Sequence, residues 1–421
     1  MLFLAPILAQ VATLGVADRT EARYTVADGL NYGSAVTRPS AGLALGWKHL
    51  NLTLGYGPAI TVQPLEETPR YLYVFHSASA SGTYSWGRTQ LIVTEASGYG
   101  SQNFRTLALN GLGNAGTTNP QQPATGSPTP VGTPISPVGS PTTPGGSPSA
   151  PGGVGTPQGT NQGLATDRKI HFITSTTSVA VTHRVSGSTT VTGELAYAIA
   201  GATRASDKDV FPIVRGPRAL GAVRYRMGHA DDLSLAVSAQ YASSSIGSSV
   251  WLGTATGSWS HHFSLKTVGT AGAGVGGTRT PLVQDFVAYS IYPVLTASIA
   301  HASLLARGNL NFGFTASSTP VIDPTTAAAD PRVGLGAALG WGRDKFSASL
   351  SGNSALSTAA ANSKGSLTAA GGSAGVAYAF GKGVSADSGV RLAYQAFQGR
   401  TVLPVSYLVF VGVTFGVQTP L

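Results

Sequence analysis

In "LNLTLGY", Leu50, Leu52, Leu54 and Tyr56 share one face of an extended chain, while Asn51, Thr53 and Gly55 share the other. Side chains that alternate with a period of two belong to a strand with one apolar and one polar surface. The pattern returns along the chain. In "DLSLAVSAQY", Leu233, Leu235, Val237, Ala239 and Tyr241 oppose Ser234, Ala236, Ser238 and Gln240. In "RVGLGAALGW", Val333, Leu335, Ala337, Leu339 and Trp341 oppose Gly334, Gly336, Ala338 and Gly340. "GNLNFGF" sets Leu310, Phe312 and Phe314 against Asn309, Asn311 and Gly313. No helical segment of about ten residues competes with this signal.

Strand length limits what such a chain can build. The alternating segments run for roughly 10 to 16 residues, whereas strands of soluble sandwiches average about five or six. A strand tilted near 45° needs about 9–11 residues to cross a bilayer. The alternation predicts about 18 strands, from residues 16–29 to residues 404–417. Composition agrees: only 10% of the 421 residues are charged, against roughly 25% in an ordinary soluble domain. No apolar run reaches the roughly 18 residues of a transmembrane helix.

The connections also sort by position. "WKHLN", "WGRT", "VSGST", "GHADD" and "GRDK" are short turns. Longer stretches such as "TRASDKDVFPIVRGP", "GGTRTPLVQD", "SSTPVIDPTTAAADP" and "STAAANSKGS" alternate with them. Short turns at one end and long loops at the other are the asymmetry of membrane barrels. The longest connection, residues 110–163, is a Gly/Pro/Ser/Thr run that cannot supply a packed core. It joins two strands of one series, so it is expected to be a disordered extracellular loop rather than a linker between domains.

Among the five tryptophans, Trp47, Trp86, Trp259 and Trp341 fall where predicted strands enter short turns. Trp251 opens the strand that Trp259 closes, about 19 Å away along a tilted strand, close to the separation of two interfacial aromatic girdles. All five are expected at the membrane interface.

These features together resemble a bacterial outer-membrane β-barrel over everything except the first ten residues and the low-complexity run. The final strand, "SYLVFVGVTFGV", resembles the barrel-assembly signal through Gly412, Phe415 and Val417, although the chain continues to Leu421 instead of ending on an aromatic. The fold this implies is all-β: a single antiparallel transmembrane β-barrel of about 18 strands (16–18). It would occupy residues 11–421, with residues 1–10 a signal-peptide remnant. Both termini would be periplasmic, at the outer membrane of a Gram-negative bacterium. Outer-membrane lipid and the barrel-assembly machinery would be its partners. Strands that begin within about twenty residues of the N-terminus leave no room for an N-terminal plug. The unplugged form resembles general and carbohydrate-specific porins. It is also similar to the large barrels proposed to pass secreted polysaccharide in some myxobacteria, which would add a periplasmic export protein as partner.

Inward-facing polar residues would then line the lumen, because an Arg or Lys facing lipid at the midplane costs about 2–4 kcal/mol. On this ground Arg224, Arg226, Arg391, Glu194, Gln240, Gln395, Asn309 and Asn311 are expected to line the channel. Tyr71, Tyr73 and Phe75 share a face with Ser77, Ser79 and Ser81. Turned inward they would stack on sugar rings at the outer mouth; turned outward by a bulge they would join the girdle.

Other chemistries are poorly served. The net charge of +9 comes from scattered Lys and Arg, without the basic cluster of a nucleic-acid surface. With no Cys, thiolate catalysis and Cys-based metal sites are excluded. "GAGVGG" (Gly272, Gly274, Gly277) and "GLGNAG" (Gly111, Gly113, Gly116) fit a dinucleotide fingerprint, but no helix follows either one. Ser373 in "GGSAG" lacks a following helix for the same reason. His261 and His262 point to opposite faces and make a poor metal site. Nothing around His76, His183 or Asp285 favours a catalytic rim. No cofactor, metal or enzymatic activity is expected.

Two functions fit: a pore for a hydrophilic solute or polymer, and a display or adhesion barrel acting through its long loops. Deleting Gln121–Thr160 separates them. Lost surface binding with intact conductance marks display; altered conductance with unchanged binding marks the pore.

Overall fold

Backbone pairing turns the alternating segments into one closed sheet. The structure is a computed structural model and describes residues 11–27, 30–63, 72–103, 169–208, 212–245, 247–281, 287–305, 308–322, 329–357, 367–381, 383–397 and 400–420. The first six strands are β1 (Val11–Ala27), β2 (Leu30–Gly46), β3 (Leu50–Val62), β4 (Leu72–Trp86), β5 (Thr89–Asn103) and β6 (Lys169–Arg184). Next come β7 (Thr189–Ala202), β8 (Val214–Arg226), β9 (Asp231–Ser244), β10 (Ser249–Ser264), β11 (Thr267–Pro281) and β12 (Val287–Leu305). The last six are β13 (Gly308–Ile322), β14 (Ala329–Arg343), β15 (Phe346–Ser357), β16 (Leu367–Gly381), β17 (Val384–Phe397) and β18 (Arg400–Pro420). A four-residue helix, α1 (Ala205–Lys208), lies between β7 and β8.

Each strand pairs antiparallel with its sequence neighbours. β18 returns to β1 in a ladder that runs from Thr13↔Pro420 to Val26↔Tyr407. The 18-stranded sheet therefore has no edge. In a bilayer this is decisive, because an unpaired backbone amide or carbonyl in hydrocarbon costs several kcal/mol. Residues 1–10, expected to be a signal-peptide remnant, and the low-complexity run at 110–163 lie outside the described residues.

The two ends of the barrel differ. At the near end, which carries both termini, connections such as 87–88, 185–188, 227–230 and 344–345 have two to four residues. The longest connection, 104–168, is at the far end. Three far-end connections, 28–29, 245–248 and 398–399, are as short as those of the near end, so the sorting is less strict than expected. Strands also reach further than the alternation indicates. "GGTRTP" is paired strand, with Gly276 opposite Tyr292 and Pro281 opposite Val287. Ladder hydrogen bonding sets strand ends, and it persists where side chains no longer alternate.

The faces separate as the period requires. Leu195, Leu235, Val411 and Ile291 are 67%, 57%, 57% and 82% exposed, on the outward face. On the other face Thr192, Asp232, Gln240 and Ser244 are buried. A continuous apolar exterior of this extent is a lipid-facing surface. Replacing Leu235 by Arg is expected to cost about 2–4 kcal/mol of stability in a bilayer. Ser238→Arg, on the inward face of the same strand, should cost much less. Guanidine unfolding in liposomes, followed by tryptophan fluorescence, gives both values.

Candidate functional site

The inner wall carries charge in two places. On β7 to β9, Glu194 and Arg218 form an ion pair at 2.5 Å. Nearer the short turns, Arg224 and Arg226 lie 2.6 and 3.6 Å from the two carboxylate oxygens of Asp232. Glu194, Arg224 and Arg226 thus stand on the inward face, together with Gln240. Arg218 and Asp232 complete these pairs. Both follow the inward parity of their strands, and that parity was the signal available for them. Asn309 and Asn311 are exposed on the inward face of β13. Gln395 lies in the far part of β17, between Ala369 and Leu403, and its side chain is outside the described set.

The denser group straddles the seam where the chain closes. Arg19, Glu21 and Arg23 follow one another on the inward face of β1. Arg38 of β2 adjoins them on one side, and Asp387 and Arg391 of β17 lie on the other, across β18. Glu21 is fully buried. It accepts hydrogen bonds from Arg23 Nε at 2.6 Å and Arg38 Nη1 at 3.2 Å, and Arg19 Nη2 lies 3.4 Å from it. Arg19 also donates to Asp387 at 2.5 Å. Arg391 lies over the Phe410 ring at 5.1 Å. Four guanidinium groups surround two carboxylates, so the seam is stitched by ion pairs and keeps a positive balance.

Arg19 and Arg38 are directly opposed across β1 and β2, a like-charge pair that destabilises a sheet unless compensated. Glu21 supplies the compensation. Sequence reasoning found only Arg391 of this group. "DRTEARY" does place Arg19, Glu21 and Arg23 on one face, but the opposite face offers only Asp18, Thr20 and Ala22 before Tyr24. The strand therefore lacks the apolar stripe that marks its neighbours.

Around the far mouth, Tyr73 and Phe75 point inward, on the face of Ser77 and Ser79. Tyr73 is only 3% exposed, with Lys169 Nζ 5.6 Å from its ring centroid, so its face is already covered. The Phe75 ring lies against Gly98 of the neighbouring strand. Tyr71 is outside the described residues.

On the outer face, Trp86 stacks near Tyr84, Trp259 near His261, and Trp341 near Phe346, with ring centroids 5.4–5.6 Å apart. All of these lie at the near end, as does Trp47 in the β2–β3 turn. Trp251 packs on Tyr241 at the far end, at 4.8 Å. In β18, Phe415 and Val417 face outward and Gly412 faces inward opposite Glu21.

The remaining motifs resolve into strand chemistry. Gly274 is mid-strand in β11, where a Cβ would lie 2.0 Å from the Ala255 carbonyl oxygen, so close packing against β10 calls for glycine there. Gly111, Gly113 and Gly116 are outside the described residues, as is Asp285. Ser373 bonds Ser351 across the inner wall at 2.7 Å. His261 bonds Asp231, while His76 and His183 bond Tyr56 and Thr89. Among the described residues no group of three His, Cys, Asp or Glu side chains could hold a metal ion.

A family model described as "EpsX exopolysaccharide export family" matches residues 135–412, which is 278 of the 421 residues. The chain belongs to the EpsX exopolysaccharide export family. No curated protein matches it by sequence. Among solved structures it is similar to OccAB4 of Acinetobacter baumannii, at 9% identity over 98% of this chain and 100% of that one, with a TM-score of 0.48. It is also similar to the outer membrane protein opdK of Pseudomonas aeruginosa, at 8% identity over 97% and 99% of the two chains, TM-score 0.47. With the FrpB iron transporter of Neisseria meningitidis (F3-3 variant) the identity is 9% and the TM-score 0.48, and this EpsX chain spans 62% of that transporter's length. This EpsX chain is an outer-membrane β-barrel pore.

Glu21 is the residue whose loss should show most. Replacing it by Gln leaves Arg23 and Arg38 without their anion. Breaking a buried pair in this way costs about 3–5 kcal/mol, and the lumen's water should hold the loss to the lower end. Unfolding in liposomes measures it, and the double variant Glu21→Gln with Arg38→Gln should recover part.

Proposed function

We propose that the barrel is the exit through which an exopolysaccharide leaves the cell, a passive conduit without catalysis of its own. The observation that carries this reading is the closed 18-stranded sheet with a polar inner face. Barrels of 16 to 18 strands enclose an aqueous channel instead of a packed core. Membership of an exopolysaccharide export family supports a polymer as the cargo.

A passive channel needs its driving force from elsewhere, either a concentration gradient or a periplasmic export machine docked beneath it. The near end, which carries both termini and whose own connections all have two to four residues, suits a periplasmic face. β18 would present Gly412, Phe415 and Val417 to the barrel-assembly machinery. The inner-wall groups described above comprise seven arginines (Arg19, Arg23, Arg38, Arg218, Arg224, Arg226, Arg391) and four carboxylates (Glu21, Glu194, Asp232, Asp387), a balance of 7 − 4 = +3. Such a wall favours anions and anionic groups on a polymer.

Reconstituted in planar bilayers, the protein should give stepwise conductance and, under a KCl gradient, a reversal potential on the chloride side. Arg224→Gln with Arg226→Gln should move that potential towards zero. Silence of the wild-type protein in the bilayer would remove the pore reading.

A further inference from the structure

The far ends of β13 and β14 do not continue in the barrel wall. β13 pairs with β12 only as far as Ser318 opposite Leu295, and the outermost pair of β14 with β15 is Arg332 opposite Ser357. Beyond these points, among the described residues, β13 and β14 pair only with each other, up to Ile322 opposite Ala329. The result is a short two-stranded ribbon free of both neighbours, while β12 runs on beside β11 to Val287 opposite Pro281.

The ribbon turns inward. By register Pro320 and Ile322 share the face of Phe312 and Phe314, which are 41% and 38% exposed towards lipid. Yet Pro320 is buried and Ile322 is only 7% exposed. Ile322 belongs to one apolar cluster with Val214, Ala242, Val250 and Leu252, which occupy inward positions of β8, β9 and β10. Pro320 lies against the inner face of β11, its Cγ 2.7 Å from where a Cβ on Gly276 would be. The ribbon therefore passes inside β12 and β11 and seats Ile322 against β8, β9 and β10. The wall beneath it is apolar, unlike the hydroxyl-, Asn- and charge-bearing wall elsewhere. Large apolar side chains facing a wet lumen are unfavourable unless covered, and the ribbon covers these.

We propose that this ribbon is a latched constriction of the pore: seated by Ile322 and Pro320 it narrows the far half of the lumen, and it must unseat for a polymer to pass. The proposal rests on the exit-pore reading. Its energetics fit a displaceable part, since among the described residues unseating breaks no ladder to β12 or β15 and exposes one compact apolar cluster.

The chain has no cysteine, so an introduced pair is unique. Ile322→Cys combined with Ala242→Cys, reconstituted in planar bilayers, tests the latch through the exclusion of poly(ethylene glycol)s of graded mass. Oxidised, the pore should exclude larger polymers; dithiothreitol should shift the limit to larger ones. Gly276→Leu, which drives a side chain into Pro320 without touching the apolar cluster, should show the shifted limit without reductant. Failure of the pair to cross-link in a folded barrel, or one exclusion limit for oxidised, reduced and Gly276→Leu pores, would overturn the latch while leaving a conducting pore. Absence of conductance from the wild type would instead overturn the exit pore, and the latch with it.

Discussion

Closure of the sheet between β1 and β18 is the interaction on which everything else depends. Every other ladder joins strands next to each other in sequence, and each strand has a connection of two to four residues at its near end, except at the seam, to set its register. The β1–β18 ladder joins the two ends of a 421-residue chain, and no turn guides it. In water an open edge would bond to solvent. In a bilayer it would leave a row of unpaired amides and carbonyls, so the half-closed sheet is not a tolerable state. The densest charge group of the inner wall sits at this junction: Glu21 on β1 holds Arg38 on β2, and Arg19 on β1 reaches Asp387 on β17. The Arg19–Asp387 pair spans β18 and ties β17 to β1, while Glu21 ties β1 to β2. They also specify register, since a slip by one residue would turn Glu21 and its arginines towards lipid.

That placement changes how the inner charges act. An arginine free in a channel attracts passing anions, whereas one bonded to a carboxylate mostly holds the wall together. Arg19, Arg23, Arg38, Arg218 and Arg224 all have a carboxylate within 3.2 Å, and Arg391 is spread over Phe410. The positive excess is thus diffuse, arising from several partly compensated groups. A diffuse field suits a long polymer, which must be wetted and released at many points; a deep anion site would hold it.

The strands and their faces were legible because lipid outside and water inside force a period of two, and Leu233, Leu235 and Val237 display it openly. Partnership across the seam was not legible. Arg19 and Asp387 are 368 residues apart, and only closure brings them together. Strand ends were misread where the ladder outlasts the alternation, as at Gly276–Pro281. The inward ribbon was hidden for a sharper reason. Pro320 and Ile322 keep the lipid-facing parity of Phe314, so the pattern assigns them to the exterior. What reverses them is the loss of β12 as a partner after Ser318, a backbone event that side-chain periodicity does not report.

A closed barrel is a poor gate by itself, because widening it requires breaking ladders that lipid will not replace. Among the described residues, the far-end segments of β13 and β14 stand apart: they bond to each other and to neither neighbouring strand. They can move as a pair while every wall ladder stays intact. Their seat is apolar, so the cost of leaving it depends on what fills the lumen beside it. A sugar ring offers C–H faces to an apolar wall as well as hydroxyls to water, and a polymer threading past Val250 and Leu252 would cover part of the surface that Ile322 vacates. Displacement by the cargo thus costs less than displacement by water alone, which makes a constriction of this kind selective for the chain that has to pass.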